Sequence, residues 1–150
     1  MVALAVTPDR RWTATTAELL AATTAAGFAA LGTFSDRAGP NVRQLYDAAQ
    51  VRCHEVLALV VTDDENETIR SARALADAAA VMGADWVLTV FRCPLTAQTA
   101  PVVQRSAAMI AEVGAAMAVE FSPLGPISSV RAGLDVVDVV NTRRRPGGAV

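Results

Sequence analysis

Val81-Met82-Gly83-Ala84-Asp85-Trp86-Val87-Leu88-Thr89-Val90-Phe91 joins the end of an alanine-rich helical stretch to an apolar run through a single glycine. A glycine just past a helix supplies the left-handed residue that ends it, because a Cβ there would clash. Beyond it the hydrophobic period changes from helical to a short continuous apolar run, the signature of a strand buried on both faces. The same join recurs in Ala25-Ala26-Gly27-Phe28-Ala29-Ala30-Leu31 and in Glu112-Val113-Gly114-Ala115-Ala116-Met117-Ala118-Val119-Glu120-Phe121. Three such joins in one short chain make a repeat.

The helix starts agree with the helix ends. Thr15 precedes Glu18 by three positions and Asp64 precedes Glu67 by three, the spacing of a capping box. In the third helical segment Ile69, Ala72, Leu75, Ala76, Ala79 and Met82 fall on one face, and Arg70, Arg73 and Asp77 lie largely off it. That pattern predicts an amphipathic helix packed on a sheet.

Worked outward from these joins, the sequence predicts strands near 2–7, 29–34, 55–61, 86–91 and 117–121. Helices are predicted near 15–26, 41–52, 66–82, 97–113 and 127–141. The chain then reads as a single α/β domain over 1–150, five βα units of about thirty residues each with no linker between them. Gly147-Gly148-Ala149-Val150 falls where a sixth strand would open, so the expected domain is a barrel cut at that strand. Consecutive βα units require parallel strands joined by right-handed crossovers. Two architectures satisfy that. One is a (β/α)8 TIM barrel, of which this is about five-eighths; the other is a complete flavodoxin-like, five-stranded, doubly wound sheet.

Composition narrows the chemistry. The chain has 150 residues, 53% hydrophobic and 19% charged, which supports one core and excludes disorder. Its formal net charge of −2 argues against a polyanion binder held by bulk charge, so no nucleic-acid partner is expected. All thirteen basic residues are arginine, which excludes a Schiff-base lysine, a P-loop lysine and the lysine that a receiver-type domain needs. The loop after the first predicted strand, Thr7-Pro8-Asp9-Arg10-Arg11-Trp12, carries no glycine, and no GxGxxG occurs anywhere. The doubly wound reading fits the strand count but finds no site. Cys53 and Cys93 stand outside metal-binding spacings and are expected to be reduced, buried thiols. The amino terminus lacks a basic region followed by a signal-type apolar core, and no run approaches the eighteen or so apolar residues of a membrane span. A soluble, cytoplasmic protein without membrane contact is expected.

The barrel reading does find a site. Glu120 stands in the apolar run Ala116 to Pro123, where an ionised carboxylate is costly unless paired or metal-bound. Period-two alternation puts Ala118, Glu120 and Ser122 on one face and Met117, Val119 and Phe121 on the other. A carboxylate at the carboxyl end of a barrel strand occupies the place where such barrels build active sites. The competing reading is a strand-end glutamate that reaches solvent or an arginine.

Taken together, the stretches from Ala17 to Phe34, Glu67 to Val90 and Ala111 to Val140 resemble the sugar phosphate isomerase/epimerase family, which has a xylose-isomerase-like TIM barrel. The most specific piece is Val119-Glu120-Phe121-Ser122-Pro123 followed by Ile127 and a helix, similar to the family's fifth strand. Asn141 to Val150 is similar to the approach to its sixth strand, so the chain corresponds to an N-terminal portion. The resemblance implies a divalent metal (Mn, Mg, Co or Zn) at the carboxyl-terminal rim. It also implies a small sugar or sugar-phosphate substrate, whose carbonyl and adjacent hydroxyl the metal polarises. Of the family's ligands only the first glutamate maps here, onto Glu120. The others would lie beyond Val150, so the chain is expected to be inactive alone; no catalytic residue is assigned.

The remaining rim positions carry less information. Arg92 has the guanidinium for bidentate capture of a phosphate or carboxylate, against the alternative of a surface ion pair. Asp36 and Ser122 are the other candidate substrate contacts, though Asp36 can also pair with Arg37. Asp63 and Asp64 read as helix caps. His54 and Arg143-Arg144-Arg145 precede strands and so belong to the opposite face of a barrel, and Trp12 and Trp86 read as packing residues. A second function class also stands: a non-catalytic module that acts by association with another chain. The exposed edges of a partial barrel invite such pairing, including self-association.

Overall fold

The structure, a computed structural model, describes residues 14–141. Its elements run α1 (Thr16–Ala25), β1 (Ala30–Phe34), a 3-10 turn (Ser35–Arg37), α2 (Pro40–Ala48), β2 (Arg52–Val61), α3 (Glu65–Met82), β3 (Trp86–Phe91), α4 (Ala100–Glu112), β4 (Ala116–Val119) and α5 (Val130–Asn141). The strand expected over 2–7, the sixth-strand start at 147–150, Trp12 and Arg143 to Arg145 lie outside the described residues.

All strand pairs are parallel, in the order β1-β2-β3-β4. A flavodoxin-like sheet would insert its first strand between the segments here called β1 and β2. Instead Ala30 pairs directly with Arg52 and Leu31 with Cys53. The doubly wound alternative is therefore wrong, and the fold is part of a (β/α)8 barrel. Successive helices touch in the same order, α1 to α2 through α4 to α5.

Helices cover one face of the sheet. Leu31, Cys53, Val56, Leu59, Val61, Val87 and Phe91 are buried beneath them, with Ala72, Leu75, Ala79 and Met82 of α3 in the same core. Phe34, Leu57, Val60, Leu88, Val90 and Ala118 alternate onto the other face and stay half-buried. The stripe expected on α3 is buried at Ala72, Leu75, Ala76, Ala79 and Met82, and only its first position differs. Thr68 is fully buried and Ile69 only half so, because the Thr68 hydroxyl accepts a hydrogen bond from the Thr62 N–H at 3.2 Å, where β2 ends.

Several boundaries moved for local reasons. Helix α4 starts at Ala100, not 97, because Thr96 and Thr99 tie a turn through each other's hydroxyls. Helix α5 starts at Val130, since Ile127 is buried and its carbonyl accepts the Ser122 N–H at 2.9 Å. Helix α2 stops at Ala48, and Gln50 takes a φ of 53° before the chain enters β2.

Gly27, Gly83 and Gly114 all adopt positive φ, at 77°, 60° and 83°. The three joins in the sequence therefore end helices as expected. Gly83 has a second role: a Cβ there would sit 2.3 Å from Nη1 of Arg43. That guanidinium donates to the Met82 carbonyl at 2.6 Å while its Nε holds Asp47 at 2.9 Å. A cation at a helix carboxyl terminus also opposes the negative end of the helix dipole. Arg43 thus ties α2 to the end of α3, and glycine leaves it room.

The four left-handed residues give a paired expectation. Gly83→Ala should destabilise the chain by about 1–3 kcal/mol, through backbone strain and displacement of Arg43. Gln50→Gly at the exposed equivalent position should stabilise it by up to about 1 kcal/mol. Urea unfolding checks both; a stabilised Gly83→Ala would contradict the assignment.

Candidate functional site: the carboxyl-terminal rim

Because the strands are parallel, every loop that follows one opens on the same rim. The structure places Asp36 after β1, Asp63 and Asp64 after β2, Arg92 after β3, and Glu120 and Ser122 after β4. It thereby brings together all four proposed site residues, Glu120, Arg92, Asp36 and Ser122, at one end of the sheet. His54 lies at the other end.

Glu120 is exposed, one residue beyond the end of β4, and its N–H donates to the Thr89 carbonyl at 2.9 Å. Glu120 therefore carries no cost of carboxylate burial. Strand pairing stops at Val119, so solvent reaches the Glu120 side chain. Leu88 pairs with Ala118, which sets Glu120 in line with the half-buried face and Met117 and Val119 towards the helices. Ser122 does not continue that alternation. It stands in the loop, where its carbonyl accepts the Gly125 N–H at 2.8 Å.

Arg92 is exposed and forms no ion pair among the described residues. The surface pair offered as its alternative is not made among the described residues. Asp36 is exposed in the 3-10 turn, and Arg37 donates to the Ala14 carbonyl at 3.1 Å. Asp64 is the helix cap expected of it: its Oδ1 accepts the Glu67 N–H at 2.9 Å. The reciprocal half of the capping box is absent, because Thr62 Oγ1 accepts the Asp64 N–H and donates to Glu67. Asp63 caps nothing and is exposed. Cys93 is partly buried; burial first, and then the Asp63 carboxylate, raise its thiol pKa.

Among the described residues no three His, Cys, Asp or Glu side chains group to hold a metal. Glu120 alone does not fit an octahedral hard cation, which draws on several oxygen ligands. A cleft of about 290 Å³ lies elsewhere, between α4, β4 and α5, bordered by Ala108, Ala111, Met117, Val137 and Val140. It belongs to the helix layer and includes none of the rim residues.

The sequence reading missed Glu55. This carboxylate is 7% exposed and lies on the half-buried face of the sheet, beside Trp86 on the next strand. It rests over Gly32, where an added Cβ would stand 2.9 Å from its Cγ. The Gly32 carbonyl in turn accepts the buried Tyr46 hydroxyl at 3.1 Å. A glycine inside an apolar strand was the available signal, since such a position often marks close approach of another group. Trp86, expected to pack, remains 38% exposed.

No protein-family model and no curated protein sequence matches the chain. Solved structures do match. A xylose isomerase domain containing protein from Salmonella typhimurium superposes with a TM-score of 0.73 at 13% identity, covering 86% of this chain and 53% of that one. The IolI protein with a bound zinc atom gives 0.69 at 15% identity, covering 81% and 52%. D-allulose 3-epimerase from Methylomonas sp., in complex with D-allulose, gives 0.66 at 16%, covering 84% and 53%. The fold is that of the xylose isomerase-like TIM barrels, and the chain spans about half the length of these structures.

The opposite end of the sheet carries His54. His54 lies within β2, which begins at Arg52 and not at 55 as expected. Its buried Nδ1 has no hydrogen bond and stands 3.6 Å from the Asp85 carboxylate, which Arg52 pairs. Cys53 and Cys93 are free thiols. Burial pushes the Cys53 thiol up to about 11. A thiol whose pKa is raised on folding stabilises the neutral form, and that contribution is lost as pH climbs through the folded value. The stability difference between the native chain and Cys53→Ala should therefore stay constant to about pH 9 and shrink between about pH 9 and 11. Urea unfolding as a function of pH measures it; a constant difference throughout would contradict the burial of this thiol.

Proposed function

We propose that this chain carries the amino-terminal part of the active-site rim of a divalent-metal-dependent sugar or sugar-phosphate isomerase or epimerase. Glu120 is its contribution to the metal, and Arg92, Asp36 and Ser122 are its contacts to substrate. The supporting observation is the placement of Glu120 at the carboxyl end of β4. It shares that rim with an exposed arginine that has no ion pair among the described residues. The zinc in one matched structure and the D-allulose in another are compatible with this reading.

The rim residues divide the work by their chemistry. Arg92 offers a planar fork of donors suited to a phosphate or carboxylate. Asp36 and Ser122 offer an acceptor and a hydroxyl suited to sugar hydroxyls. When bound, a divalent ion would polarise a carbonyl and its neighbouring hydroxyl. The described residues supply one ligand for it, so the remaining ligands come from outside them and the chain is inactive alone. We read the chain as one domain, the first part of a longer barrel, working in the cytoplasm.

The alternative is a module that acts only by association with another chain; the edge of β4, unpaired among the described residues, favours it. Calorimetric titration with Mn2+ or Mg2+ tests the first reading. The 150-residue chain should bind neither ion tightly. Stoichiometric binding with a dissociation constant of about 1 μM or below, a free energy near −8 kcal/mol, would overturn the incomplete-site account.

A further inference from the structure

Glu55 lies towards the end of the sheet away from Glu120 and takes no part in the rim. Level with it are Trp86 and Ala116, the first residues of β3 and β4. Glu55 is 7% exposed, and its carboxylate makes no hydrogen bond or ion pair with a described residue. An ionised carboxylate withdrawn from water is costly unless a cation or several donors meet it. Two arginines on neighbouring elements are engaged elsewhere. Arg52, on the same strand, pairs with Asp85, and Arg43 holds Asp47 and the Met82 carbonyl.

The surroundings of Glu55 define what could meet it. A Cβ on Gly32 would stand 2.9 Å from its Cγ and 3.2 Å from its Oε1, so the carboxyl leans over β1. Trp86 stands on the other side, paired with Glu55 from β3, and its ring remains partly open to solvent. A metal ion does not fit this setting, since no three acidic, cysteine or histidine side chains group among the described residues. A carboxylate beside an indole suits a flat, weakly hydrated organic cation.

We propose that Glu55 and Trp86 form a binding site for a small guanidinium compound, at the end of the sheet opposite the rim. The fork of N–H donors meets the carboxylate as a bidentate pair, and the cation's plane stacks on the indole. Gly32 holds the carboxyl back on the β1 side and so keeps room for the ligand between the acid and the ring. A simple ammonium lacks the plane, and a quaternary ammonium lacks the donors. The inference rests on the fold and not on the reading of the rim.

Fluorescence titration of the 150-residue chain with methylguanidinium tests this, in a Trp12→Phe background that leaves Trp86 as the sole indole. Emission should change saturably, and Glu55→Gln should weaken binding about tenfold, the loss of one charge-assisted hydrogen bond. Tetramethylammonium, which has the charge but no N–H donor, should bind more weakly. Urea unfolding without ligand is the second measurement. The midpoint for Glu55→Gln should equal or exceed that of the native chain, because no partner is lost.

Four results would overturn the proposal. The first is no saturable change up to about 20 mM, a very weak affinity even for a fragment. The second is undiminished binding by Glu55→Gln, or equal binding of tetramethylammonium. The third is a lowered urea midpoint for Glu55→Gln, which would mean that a cation of this chain already fills the site. The fourth is a blocked arginine, N-acetyl-arginine amide, that binds more tightly than methylguanidinium; the occupant would then be a side chain of a partner polypeptide.

Discussion

Each of the four helices that return the chain to the sheet ends on a residue with positive φ, and the parallel sheet depends on those four positions. Gln50, Gly83 and Gly114 turn the backbone so that the next strand runs alongside the previous one in the same direction, and Gly27 leads α1 into β1 in the same way. Three of them are glycine, for which the conformation costs little. The fourth, Gln50, pays a backbone penalty that glycine would avoid. At Gly83 the same requirement is joined to a second, since Arg43 fills the space a side chain would need. One local constraint thereby fixes helix length, strand direction and the contact between α2 and α3.

The sense of the strands determines where chemistry can collect. With every strand parallel, the loops after β1, β3 and β4 bring Asp36, Arg92 and Glu120 to one rim from positions as much as 84 apart in sequence. The amino-terminal end carries an exposed ion pair of Arg52 with Asp85, with the His54 imidazole beside the same carboxylate. Between the two ends, one sheet face is sealed by helices and the other is half-buried. That second face holds Glu55, a carboxylate whose burial only a glycine on the adjacent strand permits.

Much of this architecture was legible in the sequence. The helix–glycine–strand joins and the α3 stripe located the elements to within a few residues, because period and glycine position report local backbone geometry directly. Strand order was not legible, since a barrel and a doubly wound sheet share the same βα repeat; only the direct pairing of Leu31 with Cys53 separates them. Gln50 escaped notice because its side chain gives no sign of its φ. Glu55 escaped because its burial depends on Gly32, twenty-three positions away and on another strand. The state of Glu120 was misread for the opposite reason: its apolar sequence neighbours suggested burial, but strand pairing stops one residue before it.

The central claim, a partial barrel with its strands in sequential order, has a direct covalent test. Leu31 and Cys53 are paired positions on adjacent parallel strands, and both are buried against the helices. Leu31→Cys in a Cys93→Ser background, refolded under oxidising conditions, should form an intramolecular disulfide between positions 31 and 53, identified by peptide mapping. In a doubly wound sheet an intervening strand would separate these positions by two spacings of about 4.8 Å. That is beyond the roughly 7 Å Cα separation a disulfide can span. Two free thiols in the refolded, soluble chain would contradict the strand order on which the account stands.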